Sequence, residues 1–245
     1  MMQNSLNSKK KAFSFIELSV VIVIIGILVA AITQGSSLIY NAILSRSQVE
    51  TSTSPLNNLK NLELWLETTL NESINQKDRY DESTLEESAW QSIHKTNLKK
   101  NILFSQKNKA IYHSREGVGM LPSVYIPNTT NIEITNTHFL NKNNGFTLIV
   151  VDFSYNKNKI DSFFYCEDEE GEKVFKLEMP APNGTNDRVT YYEVSAVNNN
   201  YTVTTYINNK KTEEDEYNLG NKEITINKCF IGGGYDGNLS EIILL

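Results

Sequence analysis

Residues 13–31 read FSFIELSVVIVIIGILVAA, an apolar run with one charge, Glu17. At 1.5 Å per residue this run makes a helix about 28 Å long, close to the thickness of a bilayer's hydrocarbon core. Lys9, Lys10 and Lys11 stand just before it, and the next basic residue is Arg46. That asymmetry orients the span with its N-terminus in the cytoplasm and the remainder outside. The run is longer than the roughly 7–15 apolar residues of a cleaved secretory signal, and no A-x-A site follows directly, although Ala30-Ala31 are small. An uncleaved signal anchor fits the length and the lysines. It leaves Glu17 unexplained, because a carboxylate in hydrocarbon costs about 3 kcal/mol unless paired. Glu17 is therefore a functional candidate.

The 245-residue chain as a whole is acidic. It has 23 Lys and Arg against 29 Asp and Glu, a net charge of −6, and setting aside residues 1–12 with their three lysines leaves 20 against 29, a net charge of −9. A basic tip on an acidic body points the tip at a different partner. The balance argues against a nucleic-acid binder, which needs a basic face to neutralise phosphates. Two cysteines exclude a disulfide-dense scaffold and a four-cysteine zinc site.

The segment KKKAFSFIELSVVIVIIGIL resembles the N-terminus of a type IV prepilin or type II secretion pseudopilin. The shared features are a short basic leader, a small residue, an aromatic Phe and a Glu five residues into the mature chain. The resemblance implies that prepilin peptidase cuts between Ala12 and Phe13 and that the new Phe13 amine is methylated. Ala12 stands where the family usually has Gly. In a bundle of staggered helices, Glu17 of one subunit would meet the Phe13 amine of its neighbour, and in low dielectric that pair fixes the axial register. Gly26 and Gly35 read as ordinary membrane-helix glycines.

Beyond the span, Leu38, Ile39, Ala42, Ile43 and Val49 continue a partial 3.6-residue pattern until Thr51-Ser52-Thr53-Ser54-Pro55 stops it. The expected organisation is a leader at 1–12, a membrane and stalk helix at 13–54, a linker at 55–60 and a head at 61–245. LELWLETTL (62–70) fits a short helix or an extended segment equally. Downstream, FTLIVVDF (146–153) reads as a strand buried on both faces. DSFFYC (161–166), KVFKLEM (173–179), RVTYYEVSAV (188–197), YTVTTYI (201–207), EITINKCFI (223–231) and LSEIILL (239–245) follow, separated by Asn- and Gly-rich turns. This spacing predicts an antiparallel sandwich.

In the head, FTLIVVDF, the TTYINNKK hairpin and CFIGGGYDGNLSEIILL are similar to the laminin G-like, or concanavalin A-like, jelly-roll family. LELWLETT, ESAWQSI around Trp90 and GVGMLPSVYI around Pro122 resemble the leading segment of such domains. The resemblance implies a mainly β, lectin-like jelly roll behind one long helix.

Candidate chemistry in the head is sparse. Gly232 to Gly237 satisfy G-x-G-x-x-G, but a strand and not a helix follows, so a glycine turn is the better reading. The acidic runs Glu167–Glu172 and Glu213–Glu216 lack the spacing that aligns catalytic carboxylates on one strand. They read as solvated loops, with calcium the one cofactor left open. His94, His113 and His138 lack metal-ligand spacing. Cys166 and Cys229 both fall in strands, where a disulfide and two buried thiols are equally open. Tyr191, Tyr192, Tyr201, Tyr206 and Tyr235 would suit a sugar-stacking surface or plain strand packing.

The expected function is a non-enzymatic, minor, pilin-like subunit of a type IV pilus or type II secretion-type filament. It would be held in the bacterial cytoplasmic membrane before assembly, with its head in the periplasm or outside. Its partners would be prepilin peptidase, other pilin-like subunits and a carbohydrate or surface ligand, with no nucleic acid. The alternative is a membrane-tethered, glycan-binding or glycan-hydrolysing jelly roll that forms no filament.

Overall fold

The computed structural model describes residues 15–86, 88–93, 102–104, 109–134, 145–154, 158–181, 187–197, 200–218, 226 and 228–245. Phe15–Ser52 form one 38-residue helix, α1, none of whose residues is buried. Its first half is rich in Val and Ile, mediocre helix formers in water. In hydrocarbon the helix is enforced, because every backbone N–H and C=O must bond within the segment. The helix is long and apolar enough to cross a membrane. Its C-terminal carbonyls are capped locally: Thr53 N donates to Val49 O (3.0 Å), and Asn57 Nδ2 donates to Thr51 O (3.2 Å) and Ser52 O (3.0 Å). Pro55 then opens a short 3-10 turn, Pro55–Asn58. The chain divides into two compact units, residues 1–45 and 46–245, so the last two turns of α1 belong to the head.

The head is built almost entirely of antiparallel strands. In chain order they are β1 (Leu64–Glu67), β2 (Ser83–Thr84), β3 (Ile102–Phe104), β4 (Ile111–His113), β5 (Ser123–Ile126), β6 (Ile132–Ile134) and β7 (Phe146–Ser154). Then come β8 (Ile160–Glu167), β9 (Lys173–Met179), β10 (Asp187–Val197), β11 (Asn200–Ile207), β12 (Lys210–Asn218), β13 (Lys228–Ile231) and β14 (Gly237–Leu244). A large sheet has the order β12-β11-β10-β7-β14-β5-β4-β2, with β1 also on β14. A small sheet has the order β3-β6-β13-β8-β9. LELWLETTL resolves as strand, and Leu64 to Glu67 are all buried.

β14 is central. It pairs with β7 from Gly237 to Leu244, and along its other edge it pairs first with β5 and then with β1. The main core lies between the sheets: Phe146, Leu148 and Val150 of β7 and Ile242 and Leu244 of β14 join a cluster with Phe164, Phe175 and Ile231. A second, smaller cluster covers the outer face of the large sheet, where Trp65 and Ile243 pack with Leu62, Leu56, Ile93 and Ile149. The β11–β12 hairpin turns at Asn208 (φ 48°) and Asn209 (φ 64°), the left-handed pair that such a tight turn needs. Cys166 and Cys229 face each other across β8 and β13 and are joined by a disulfide that closes a separation of 63 residues. Closing a loop of that length is worth about 4 kcal/mol.

Leu239, Ile242 and Leu244 are fully buried. At about 25 cal/mol per Å² of apolar surface, their loss approaches a domain's whole net stability. Residues 46–245 expressed alone should show a β-dominated circular dichroism spectrum and a cooperative melt. Deleting 239–245 should abolish that melt. An unchanged melting temperature after the deletion would remove β14 from the core.

Candidate functional site

Of the residues singled out by the prepilin resemblance, Lys9, Lys10, Lys11, Ala12 and Phe13 lie outside the described residues. Glu17 stands in the first turn of α1 with its side chain exposed. A carboxylate there also faces the positive end of the helix dipole.

The glycine run is a turn between β13 and β14. Gly232, Gly233 and Gly234 have φ of 132°, 36° and 94°. A Cβ on Gly233 would lie 1.7 Å from Ser162 O, so only glycine fits this close approach. Gly233 N donates to Asn131 Oδ1 (3.0 Å), and Gly232 N donates to Phe163 O (2.8 Å). The turn's N–H groups are committed to the fold, and β14 follows in place of a helix.

The two acidic runs have different fates. Glu167–Glu172 forms the β8–β9 hairpin, in which Asp168 Oδ1 accepts from Glu170 N (3.0 Å) and Glu172 N (2.9 Å). Glu213 to Glu216 lie within β12, which corrects their reading as a loop: the β11–β12 turn comes earlier, at Asn208-Asn209. Glu213 and Asp215 converge with Glu178 of β9, their carboxylate oxygens within 4.8 Å of one another. This is the one group among the described residues with the donors to hold a metal. It already faces cations, since Lys159 Nζ contacts both Glu178 and Glu213, and Lys176 Nζ lies 3.1 Å from Glu178. Burial would raise the Glu178 pKa, but the two lysines outweigh it and hold the carboxyl below its usual range.

The tyrosines divide by strand alternation, which sends neighbouring residues to opposite faces. Tyr192, Tyr201 and Tyr235 are buried in the core, so they do not belong to any surface. Tyr191 and Tyr206 are cross-strand partners on the outer face, with near-parallel rings 4.2 Å apart. His113 lies edge-on to Tyr125 and 3.6 Å from Glu116. His94 and His138 lie outside the described residues.

Two charged pairs in the head have no motif to announce them. Asp152 of β7 and Arg188 of β10 face inward and are buried. Arg188 Nε donates to both Asp152 oxygens (2.8 and 3.0 Å), and Nη1 donates to Pro180 O (2.7 Å). The Tyr235 hydroxyl makes a third hydrogen bond to Asp152 (3.2 Å), tying the glycine turn to the large sheet. Such a pair is costly to break from one side, because the other charge is then buried alone. A single Asp inside the apolar run FTLIVVDF was the available clue, since a buried charge requires a partner.

The second pair is Glu67 of β1 and Glu241 of β14, directly opposite each other on the outer face. They border a cavity of about 120 Å³ with Ser47 and Thr51 of α1, Leu121 and Val151. Glu67 accepts from Thr69 N (2.5 Å), Thr69 Oγ1 (2.6 Å) and Leu70 N (2.7 Å), which shapes the loop after β1. Glu241 accepts from Trp65 Nε1 (2.7 Å). Burial raises both carboxyl pKa values; hydrogen bonds and Arg79 offset part of this at Glu67, while Glu67 itself adds to the rise at Glu241. The cavity is well below the roughly 300–1,000 Å³ of ligand pockets. A carboxylate with both oxygens engaged by the backbone is also poorly placed as a nucleophile. The pair therefore shapes the seam, within the head, between residues 46–52 and the large sheet.

A carboxyl whose folded pKa is raised favours the folded state more as it protonates, so its penalty is full at neutral pH and disappears as pH falls to the ordinary glutamate value. Head stability should rise as pH falls from 7 toward about 5. Glu241→Gln keeps an acceptor for Trp65 and removes the charge. It should raise the melting temperature at pH 7 by about 3 °C, the shift expected of roughly 1 kcal/mol in a domain this size, and flatten that rise. A lower or unchanged melting temperature would mean that the pair carries no strain.

Residues 7–33 match the prokaryotic N-terminal methylation motif. No curated protein matches the sequence. Among solved structures, the chain is similar to domain 4 of AbnA, a GH43 extracellular arabinanase from Geobacillus stearothermophilus, in complex with arabinotriose. That likeness has 9% identity and a TM-score of 0.39 over 59% of this chain and 81% of that one. It is also similar to Trypanosoma rangeli sialidase in complex with sialic acid, at 13% identity and a TM-score of 0.42, over 76% of this chain and 31% of the sialidase. The receptor-binding domain of botulinum neurotoxin D is similar at 9% identity and a TM-score of 0.37, over 77% and 48%. The chain thus carries a prepilin N-terminal methylation motif, a membrane-capable helix and an antiparallel, sandwich-like head.

Proposed function

We propose that this chain is a non-enzymatic, minor, pilin-like subunit of a type IV pilus or type II secretion-type filament. The observation that carries the reading is the methylation motif at residues 7–33, with Glu17 as the one charge in the apolar run it contains. Prepilin peptidase would cut between Ala12 and Phe13 on the cytoplasmic side, guided by Lys9, Lys10 and Lys11, and the Phe13 amine would be methylated. Before assembly the chain would sit in the bacterial cytoplasmic membrane with its head outside the cytoplasm. In the filament, Glu17 would pair with the Phe13 amine of a neighbour, which removes the cost of a lone carboxylate in hydrocarbon. The minor role follows from the bulk of the head, which is hard to repeat at every position of a tight helix.

An adhesive role for the head would use the Tyr191–Tyr206 pair, the stacked aromatic pair on the outer face of the large sheet. Aromatic rings offer an apolar body and a polar tip, which suits carbohydrate.

Three measurements test these readings. In the native host, intact mass and N-terminal analysis should give a mature chain starting at a methylated Phe13. Glu17→Ala should insert into the membrane at least as well as the wild type and should be depleted from sheared filaments. A start after Ala31, an uncut chain or normal assembly of the variant would overturn the filament reading. Separately, Tyr191→Ala with Tyr206→Ala should leave assembly intact and reduce retention on glycan-coated surfaces. Unchanged retention would remove the pair from any adhesive role.

A further inference from the structure

Among the described residues, β12 ends one edge of the large sheet and β9 ends one edge of the small sheet. Glu213 and Asp215 of β12 stand opposite Thr205 and Val203 of β11, both buried, and so share the face that carries the core. Glu178 of β9 meets them there, and the three carboxylates bring oxygens within 4.8 Å of one another. Oxygens that close all fit around one ion at about 2.4 Å, the calcium–oxygen distance. The group has no Cys or His, so its donors suit a hard cation in place of zinc or copper.

The lysines nearby do not neutralise the group. Lys159 Nζ contacts Glu178 and Glu213, and Lys176 Nζ lies 3.1 Å from Glu178. No ion pair among the described residues reaches Asp215. Three carboxylates against two ammonium groups leave one negative charge. The Lys159 side chain is 40% exposed, so its ammonium can turn into solvent when a divalent ion takes its place.

A separate feature points at the same spot. Tyr192 is fully buried, and its hydroxyl has no hydrogen-bond partner among the described residues. A buried hydroxyl left unpaired is costly and calls for a bound water or ion. Tyr192, Thr205 and Glu213 form one cross-strand row on the inner face of β10, β11 and β12. The charged groups around the hydroxyl are Arg188 and Asp152, which pair with each other, and Glu213 and Glu178. Asp152 already bonds to Arg188 and to the Tyr235 hydroxyl. The Tyr192 hydroxyl is thus left facing the carboxylate group.

We infer that Glu178, Glu213 and Asp215 bind a calcium ion, with Lys159 displaced and a water on the ion meeting the Tyr192 hydroxyl. The ion clasps the edge strand of one sheet to the edge strand of the other. The disulfide does not do this, because β8 and β13 both belong to the small sheet. A site with this little net charge belongs with extracellular calcium modules, whose dissociation constants are about 10⁻⁴–10⁻³ M.

The test uses the full-length chain in detergent, stripped with EDTA. Calcium chloride at about 10 mM should raise the head's melting temperature by about 4 °C over sodium chloride of equal ionic strength. Asp215→Asn should melt like the wild type in EDTA and bind calcium about tenfold more weakly by calorimetry. Lys159→Met should melt lower in EDTA yet bind calcium more tightly, because the competing ammonium is gone. A plain ion-pair network gives the first of these effects without the second. The site is wrong if calcium acts no more strongly than sodium, if it acts equally on Asp215→Asn, or if Lys159→Met binds it no more tightly. The filament reading stands under any of these outcomes, since the measurement involves no filament.

Discussion

β14, the last strand of the chain, runs through the middle of the large sheet, between β7 on one edge and β5 and β1 on the other. β1 follows the stalk helix and its turn almost at once, and its only strand partner among the described residues is β14. The loop after β1 receives Gln48 from the last turns of α1 through Thr69 O. The first and last strands of the head are therefore neighbours, Leu64 opposite Leu244. Such long-range pairing is slow to form, because the loop entropy must be spent before any contact is made. A chain held at its N-terminus by a membrane helix must deliver its final residues to the same side before the head can close.

The two charged pairs of the large sheet show what the local surroundings do to a buried charge. Asp152 and Arg188 point inward, with opposite charges, two short hydrogen bonds and a tyrosine hydroxyl completing the set. Glu67 and Glu241 point outward, with like charges and no cation between them; Arg79 acts on Glu67 from one side. The first pair anchors the glycine turn to the sheet. The second is tolerated because Glu67 organises the loop that accepts Gln48 at Thr69 O.

Much of this was legible in the sequence. The apolar run with one charge reads directly as a membrane-capable helix, since nothing else hides that many branched side chains. FTLIVVDF reads as a strand buried on both faces; it lies between β10 and β14, with Phe146, Leu148, Val150 and Asp152 buried and the alternate residues Thr147, Ile149, Val151 and Phe153 half-buried. The Asn208-Asn209 hairpin and the glycine turn follow from residues that tolerate positive φ. Pairwise registers were not legible, because alternation alone does not say which strand lies opposite which. So Tyr191 and Tyr192 looked alike until pairing sent one to the surface and the other into the core. Glu67 and Glu241 are 174 positions apart in the chain and become neighbours only through the β1–β14 ladder. The ambiguity of LELWLETTL had the same origin: burial on both faces removes the periodicity that separates strand from helix.

The edges of the large sheet bear on how heads would behave at close quarters. β12 is an edge strand among the described residues, and an unpaired edge invites pairing with any other edge nearby. Its sequence from Lys210 to Glu216, KKTEEDE, places charge at nearly every position, and its register with β11 slips between Thr205 and Tyr206. A second copy aligned antiparallel on this edge would bring its four consecutive acidic residues, Glu213 to Glu216, against lysines in one register and against like charges in the next. No register satisfies all of them, so the edge discourages sheet-to-sheet association. In the proposed filament, where heads are crowded, that leaves contact between copies to surfaces that are apolar and neutral, such as the stalk helix.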